Sequence, residues 1–254
     1  MSVIAPWERS SFQPGGAANV FQLFVFSTEK LRDDVAMSAS RFGLPSSQAM
    51  NFVDVRELPR SVDAAWFDGF RSGSLRVLAA QALGEDLRAL DTATQLTAVL
   101  ISRDDAKDLT HLQAGWATAQ WLIARGAQVV LDAQTNRFWK GEDVASWPAG
   151  RPFTLTTDIN IVVEAEPTSP TATIHTRGLQ KFGRPDLVVR DVPGERWDAV
   201  AGLLRAIAGS LADGLMLKDG EVQTVDGQQV TFRALGKDDL HLNNSALEVL
   251  PASS

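Results

Sequence analysis

Residues 96–131 form the clearest structural unit of the sequence and read LTAVLISRDDAKDLTHLQAGWATAQWLIARGAQVVL. The apolar runs Leu96–Ile101 and Val129–Leu131 predict two strands. Between them, apolar side chains recur at helical spacing, at Leu109, Leu112, Trp116 and Ile123. Gly126 is a typical helix stop, so the stretch predicts a strand–helix–strand module.

Further elements flank this module on both sides. They are a strand at Val20–Phe26, a helix capped by Ser27 or Thr28, a short strand at Asn51–Leu58, a helix from Ser74 to about Leu90 and a short helix from Gly141 to Trp147. The second of these would place Leu31, Val35 and Ala39 on one helical face. Together they predict a first half that combines helices with a sheet.

The pattern changes after the Pro- and Gly-containing segment 147–152, which is a candidate linker. The later elements are β-rich segments at Thr154–Glu164 and Thr171–Thr176 that form a hairpin, a strand at Leu187–Val192, an amphipathic helix from Trp197 to Leu211 and a hairpin turning at Asp226-Gly227. A two-residue Asp-Gly turn is a specific hairpin signal. On the helix, Trp197, Leu204 and Ile207 are predicted to face the core.

The fold class that these elements predict is α+β. We expect two sheet-plus-helix halves with mixed or antiparallel sheets, packed together, of which a ferredoxin-like arrangement is one form. The predicted divisions are a flexible N-terminal lead (1–18), an N-terminal α/β half (19–147), a C-terminal α+β half (152–236) and a polar tail (237–254). A faint echo links Arg41-Phe-Gly-Leu-Pro45 to Lys181-Phe-Gly-Arg-Pro185. A turn used twice is a plainer explanation of this echo than an internal duplication.

Composition excludes several function classes. The 254 residues are 44% hydrophobic and carry a net charge of −7, with basic residues scattered among acids. Nucleic acid and anionic membrane surfaces are therefore not expected partners, because both are bound by clustered Lys and Arg. The chain has no cysteine, which excludes disulfides and thiolate chemistry. It has no apolar leader and no membrane-length apolar run, so we expect a cytoplasmic protein.

No cofactor or metal is expected, because phosphate loops, dinucleotide glycine fingerprints and His-Glu-x-x-His are missing. Asp104-Asp105-x-x-Asp108 resembles a magnesium cluster, but acids that begin the following helix are the simpler interpretation. Asp238-Asp239-x-His241 lies in the polar tail, and we expect it and His111 to be solvated rather than ligands.

The segment from His175 to Leu187 reads HTRGLQKFGRPDL and is the one place where a site is conceivable. His175, Arg177 and Asp186 are the candidate catalytic residues, with Arg184 beside them. A histidine beside an acid can transfer protons, and an arginine can hold an oxyanion. The alternative is structural: Gly178, Gly183 and Pro185 shape a turn over a buried Phe182. We favour the structural interpretation.

This segment also carries a family resemblance. Thr176-Arg-Gly-Leu-x-x-Phe-Gly-Arg-Pro-Asp-Leu187 resembles the pattern Thr-x-Gly-Leu, Phe-Gly-x-Pro-Glu-Leu of the bacterial family called domain of unknown function 4261 (DUF4261). Asp186 departs from the family's Glu. With similar elements in the front half, the resemblance spans most of the chain from about residue 20. It implies architecture and a bacterial setting but no activity, and some members are associated with toxin–immunity or secretion-linked loci.

The function that the sequence favours is therefore that of a non-enzymatic protein that binds another protein, for example an immunity-type or adaptor protein. The alternative is an enzyme or small-ligand binder that uses the turn between His175 and Asp186. Convergence of His175, Arg177 and Asp186 in an apolar pocket would favour that alternative.

Overall fold

The computed structural model describes residues 4–166, 168–236 and 244–251, and these residues form two compact units. Unit 1 comprises Met1–Trp7, Val20–Arg103 and Asp108–Phe153, and unit 2 comprises Glu8–Asn19, Asp104–Lys107 and Thr154–Ser254. Each unit combines one sheet with helices, which confirms the predicted α+β class. In the described part of the chain, no helix has both the length and the apolar character needed to cross a bilayer.

Unit 1 is built on a five-stranded sheet. Its elements are β1 (Asn19–Ser27), α1 (Ala39–Phe42), β2 (Val53–Pro59), α2 (Ala64–Gly69), α3 (Gly73–Leu83), α4 (Leu87–Thr92), β3 (Gln95–Arg103), α5 (Thr110–Ala124), β4 (Val129–Asp132), β5 (Arg137–Lys140) and α6 (Gly141–Ser146). The strand order is β2-β3-β1-β4-β5. The predicted module is present as β3, α5 and β4, and β1 lies between its two strands.

Helices cover both faces of this sheet, but to different extents. On one face α5 approaches β1 so closely that a Cβ atom at Gly115 would lie 2.4 Å from the Phe21 ring. On the other face α2, α3 and α4 pack over Phe24, Phe26, Leu96 and Ala98. Since side chains alternate along a strand, the side chains of Leu58, Arg56 and Asp54 point to this second face too.

Two predictions in this half are wrong. No helix follows Thr28, because the segment up to Ser38 bonds to α5 instead of to itself: Trp121 Nε1 donates to the Val35 carbonyl at 2.8 Å. The predicted helix up to Leu90 breaks at Gly84, which has φ 56° and ψ −121°. Both departures depend on tertiary contacts or on one backbone angle, which helical periodicity does not encode.

Unit 2 is built on a six-stranded mixed sheet. Its elements are α7 (Leu155–Asp158), β6 (Asn160–Ala165), β7 (Thr171–Arg177), β8 (Asp186–Pro193), α8 (Trp197–Ala212), β9 (Val222–Val225), β10 (Gln228–Leu235) and β11 (Ala246–Pro251). The order is β6-β7-β8-β11-β10-β9, with β8 and β11 parallel and the other neighbours antiparallel.

The local signals in this half were informative. Leu204 and Ile207 are buried as predicted, whereas Trp197 is half-buried and donates its ring N–H to Val192 at 3.1 Å. At the second hairpin Asp226 has φ 49° and Gly227 φ 80°, the two positive angles that a type I′ turn requires. The first predicted hairpin is present and joins β6 to β7. The predicted β-rich segment Thr154–Glu164, however, begins with the short helix α7 before β6.

The echoed motif forms the same kind of turn twice. Phe42 and Phe182 are both buried, and each precedes a glycine in the left-handed region, Gly43 at φ 84° and Gly183 at φ 65°. Burial of the ring and the positive φ of the glycine explain the repeated Phe-Gly without a duplication.

The predicted divisions differ from the observed units at both ends of the chain. The lead 1–18 is not separate, because residues 8–19 belong to unit 2, where Arg9 donates to the carbonyl groups of Ala106, Phe182, Leu211 and Ala212. The predicted polar tail contains β11, which lies between β8 and β10. In β11, Leu247 and Val249 are buried, so these residues belong to the core of the unit.

Candidate functional site

The three residues that the sequence singled out lie on β7 and β8. His175 lies within β7, between β6 and β8, and is fully buried. Arg177 ends β7 opposite Asn160 and is half-buried. Asp186 begins β8, and its carboxylate lies on the face of Thr176. Side chains alternate along β7, so His175 shares its face with Arg177 and points away from the face of Thr176. The three side chains therefore do not meet on one face, as the enzyme alternative would require.

Asp186 holds the turn together. Its Oδ1 accepts a hydrogen bond from Thr176 Oγ1 at 2.8 Å and one from the Leu179 N–H at 3.3 Å, and its Oδ2 accepts one from Asn244 Nδ2 at 2.9 Å. Burial raises the pKa of Asp186, although the hydrogen bonds from Asn244, Thr176 and Leu179 lower it. The carboxylate of Asp186 therefore accepts three hydrogen bonds from residues of its own unit.

His175 is packed into the strand ladder. Its Nδ1 lies 3.1 Å from the Thr176 carbonyl oxygen, and its Nε2 lies 3.1 Å from Glu164 Oε1. A hollow of about 530 Å³ opens at this hairpin, and Glu164, Glu166 and Asp191 are among the residues that line it. His175, Arg177 and Asp186 do not line that hollow. The histidine is thus part of the sheet.

The turn itself has the structural features that were predicted. Gly178 has φ 113° and Gly183 φ 65°, and Phe182 is fully buried. Gly183 also lies where a Cβ atom would be 2.3 Å from the Ala17 carbonyl oxygen. Between the two glycines, Lys181 donates from its fully buried ammonium to Asp158 at 3.1 Å.

A buried charge cluster that the sequence did not reveal lies beside this turn. Asp105 accepts from Arg184 Nη1 at 2.9 Å and from the Gly16 N–H at 2.7 Å, and Arg9 Nη1 lies 3.6 Å from it. Burial and the positive charge of Arg184 lower the pKa of Arg9 to about 10, against the opposing effect of Asp105. Arg184 also donates to the carbonyls of Gln13, Gly214 and Leu215. This cluster fastens three segments of unit 2 together.

The predicted role of the acidic run is correct for one residue and wrong for another. Asp108 accepts from the Thr110 N–H at 3.0 Å, where α5 begins, and from Arg103 at 2.8 Å. Burial raises the pKa of Asp108, but the hydrogen bonds from Arg103 and Thr110 outweigh it and the net shift is downward. Asp105 is not at the helix start, because it belongs to the charge cluster.

The remaining histidine and acid candidates can be placed as follows. His111 is fully buried, which contradicts the expectation of a solvated side chain. Asp238, Asp239 and His241 lie outside the described residues. Among the residues that the structure describes, no three His, Asp or Glu side chains are grouped to hold a metal ion.

An open groove in unit 1 is the strongest candidate binding site. It lies on the same sheet face as α2, α3 and α4, next to the part of that face that these helices cover. Its volume is about 390 Å³. Residues from three strands and from the turn before β2 line it: Val20, Phe21, Gln22, Phe52, Asp54, Arg56, Leu100, Ile101 and Ser102. Val20, Phe52 and Leu100 are half-buried apolar side chains, whereas Asp54, Arg56 and Ser102 are exposed.

This arrangement suits a ligand or partner that has an apolar group surrounded by polar groups. The half-buried Val20, Phe52 and Leu100 offer contact area, and Asp54, Arg56 and Ser102 offer charge and hydrogen bonds at the rim. The groove is not evident in the sequence, because its residues come from three strands that are distant in sequence. The available signal was the presence of three charged residues, Asp54, Arg56 and Glu57, within four positions, which is typical of an edge strand.

Comparisons of the chain with protein-family models, with curated proteins and with solved structures find no match. The resemblance of Thr176–Leu187 to domain of unknown function 4261 stays a prediction. The function is therefore inferred from the residues of this chain and their geometry.

Proposed function

We propose that this chain is a non-enzymatic binding protein that docks another protein in the groove of unit 1. The observation that carries the proposal is the half-buried apolar floor beside the exposed strand β2. Non-obligate protein interfaces combine such an apolar centre with a polar rim. A small-molecule pocket encloses most of its ligand, whereas Asp54, Arg56 and Ser102 at this rim are exposed.

The charge of the chain supports a protein partner. With a net charge of −7, a polyanionic nucleic acid would be repelled at long range. At the groove itself, Asp54 and Arg56 present both signs. A partner with an apolar anchor flanked by polar or charged residues would satisfy both floor and rim.

The proposal extends to the setting of the protein. The resemblance to domain of unknown function 4261 suggests an immunity-type or adaptor protein of a bacterial toxin or secretion-linked system, and a cytoplasmic location is part of this proposal. In that setting the groove would receive the toxin or a component of the secretion system.

Site-specific photo-crosslinking in the native host tests the proposal. A photoreactive amino acid replaces either Ser102, at the groove, or Ser210, at a separate cleft of about 310 Å³ beside α8 in unit 2. We expect one major crosslinked protein from position 102 and not from position 210. No protein crosslinked from position 102, or the same set from both positions, would contradict the proposal.

A matched pair of variants then tests whether the groove is the binding surface. Ser102→Trp fills the groove and Ser210→Trp fills the cleft, and both side chains are exposed, so the fold should survive. The protein identified by crosslinking should no longer copurify with S102W but should be retained by S210W. Equal retention by both variants would show that the groove is not the docking site.

A further inference from the structure

Strand β2 forms an open edge of the sheet in unit 1. Among the residues that the structure describes, it pairs only with β3, over seven residues from Val53 to Pro59. The side chains of its centre are exposed on both faces: Val55 is 38% exposed, and the side chains of Asp54 and Arg56 are 51% and 63% exposed. The backbone groups on the outer side of such a strand are a template for another strand.

The sequence of β2 is complementary to itself in one antiparallel register. If two copies run antiparallel about a two-fold axis at Val55, Asp54 of each copy lies opposite Arg56 of the other. The same register places Val55 opposite Val55. Opposite charges and paired β-branched residues are the cross-strand neighbours that stabilise a sheet.

Neighbouring registers lack this complementarity. An axis at Arg56 places the two arginines opposite each other, and an axis at Asp54 places the two aspartates opposite each other. Like charges directly opposite are destabilising. Charges on an edge strand normally prevent strand pairing, whereas here they leave one register favourable.

The ion pair between Asp54 and Arg56 of one chain competes only weakly with the pairs between two copies. Arg56 lies 2.5 Å from Asp54 of its own chain, but both side chains are more than half exposed. An exposed pair of this kind contributes little, so exchanging the one pair in each copy for the two pairs between copies costs little.

We infer, beyond the proposed function, that β2 is the interface of a homodimer in which two copies of this chain join their five-stranded sheets antiparallel about Val55. Directly opposite residues point to the same face, so both grooves lie on one face of the joined sheet. A seven-residue strand buries a small area, and the dimer is therefore concentration-dependent.

Cysteine variants test the register directly, because the chain contains no cysteine. Val55→Cys should form an interchain disulfide on mild oxidation, since its counterpart is directly opposite at a distance that a disulfide spans. Val53→Cys and Glu57→Cys should not form a disulfide separately but should crosslink when mixed, because positions 53 and 57 face each other. Efficient crosslinking of V53C with itself, or none of V55C, would overturn the inference.

Charge variants test the same interface without oxidation. Asp54→Arg makes both facing positions positive and Arg56→Asp makes both negative, so each variant alone should raise the dimer dissociation constant about tenfold or more. Mixing the two variants should restore dimers, as heterodimers, in sedimentation velocity. The control Arg205→Asp changes an exposed charge on α8 and should leave the dissociation constant unchanged.

The outcomes separate this inference from the proposed function. A parent protein that is monomeric at the highest concentration reached, or D54R and R56D mixtures that do not dimerise, would overturn the homodimer. Neither result would affect the crosslinks from position 102 that test the groove. Thermal unfolding midpoints equal to that of the parent verify that each variant is folded.

Discussion

Arg184 Nη1 donates a hydrogen bond to Asp105 Oδ1 at 2.9 Å although 79 residues separate them in sequence. The Arg184 side chain is fully buried, and that of Asp105 is 9% exposed. Arg9 lies close to the same carboxylate, so the negative charge of Asp105 compensates the positive charges of two buried guanidinium groups. Asp105, which the sequence predicted to begin a helix, therefore anchors the turn that contains Arg184.

Removal of this carboxylate should destabilise unit 2. Asp105→Ala leaves Arg9 and Arg184 buried without their counter-charge, and loss of one partner of a buried pair costs about 3–5 kcal/mol. Urea unfolding gives the free energy, and faster hydrogen exchange in peptides of α8 would locate the loss. Asp104→Ala is the matched control, because Asp104 is adjacent and exposed, and it should change stability by less than about 0.5 kcal/mol. Equal effects of the two variants would contradict the role of the cluster.

Asp186 should make stability depend on pH in an identifiable direction. Because burial raises its pKa in the folded protein, its protonated form stabilises the fold below the unfolded pKa of about 3.9, and this contribution is lost as the pH rises through the raised folded pKa. Asp186→Asn does not titrate. The free energy of unfolding of the parent minus that of D186N should therefore fall as the pH increases from about 3 and then become constant.

Urea titrations at a series of pH values measure this difference. The matched control is Asp198→Asn, which makes the same substitution at an exposed position on α8. A difference between the parent and D186N that rises with pH would show that the hydrogen bonds to Asp186 outweigh its burial.

The sequence predicted elements whose signal is local. The Asp226-Gly227 turn carries its own backbone requirement, and α8 carries an apolar stripe that includes Leu204 and Ile207, so both were found. The segment around Val35 was predicted to be a helix. Hydrophobic periodicity does not reveal the hydrogen bond that the Val35 carbonyl accepts from Trp121. The candidate site was missed for the same reason, since Val20, Asp54 and Leu100 meet only in the folded sheet.

The tail shows a second limit of sequence patterns. Leu247 and Val249 lie in the mostly apolar run Ala246–Leu250, which was assigned to the polar tail because a polar stretch precedes it. In the structure they belong to a strand in the centre of a sheet. The parallel partner of β11 is β8, with Leu247 opposite Leu187. Parallel pairing of segments some 60 residues apart is a tertiary property, which composition does not encode.

The core of unit 2 should depend on Leu204. This residue is fully buried on α8, and truncation of a buried Leu to Ala costs roughly 2–5 kcal/mol. Leu204→Ala should therefore lower the urea midpoint, whereas Arg205→Ala, at the next and exposed position, should leave it nearly unchanged. An unchanged midpoint for L204A would mean that α8 does not bury this face.

The last prediction concerns Gly183, where a positive φ and a close approach coincide. With φ 65°, an L-residue is strained, and a Cβ atom would lie 2.3 Å from the Ala17 carbonyl oxygen and 2.5 Å from Asn19 Oδ1. Gly183→Ala should therefore lower the free energy of unfolding by more than about 1 kcal/mol. Gly202→Ala is the matched control, because this glycine lies within α8 with open space around its Cβ position. An added methyl group there should stabilise the helix by roughly 0.5–1 kcal/mol. Opposite signs for the same substitution in one protein, measured by urea unfolding, would verify that the Phe182–Gly183 turn depends on its glycine. A Gly183→Ala protein as stable as the parent would mean that Ala17 and Asn19 do not pack against this turn.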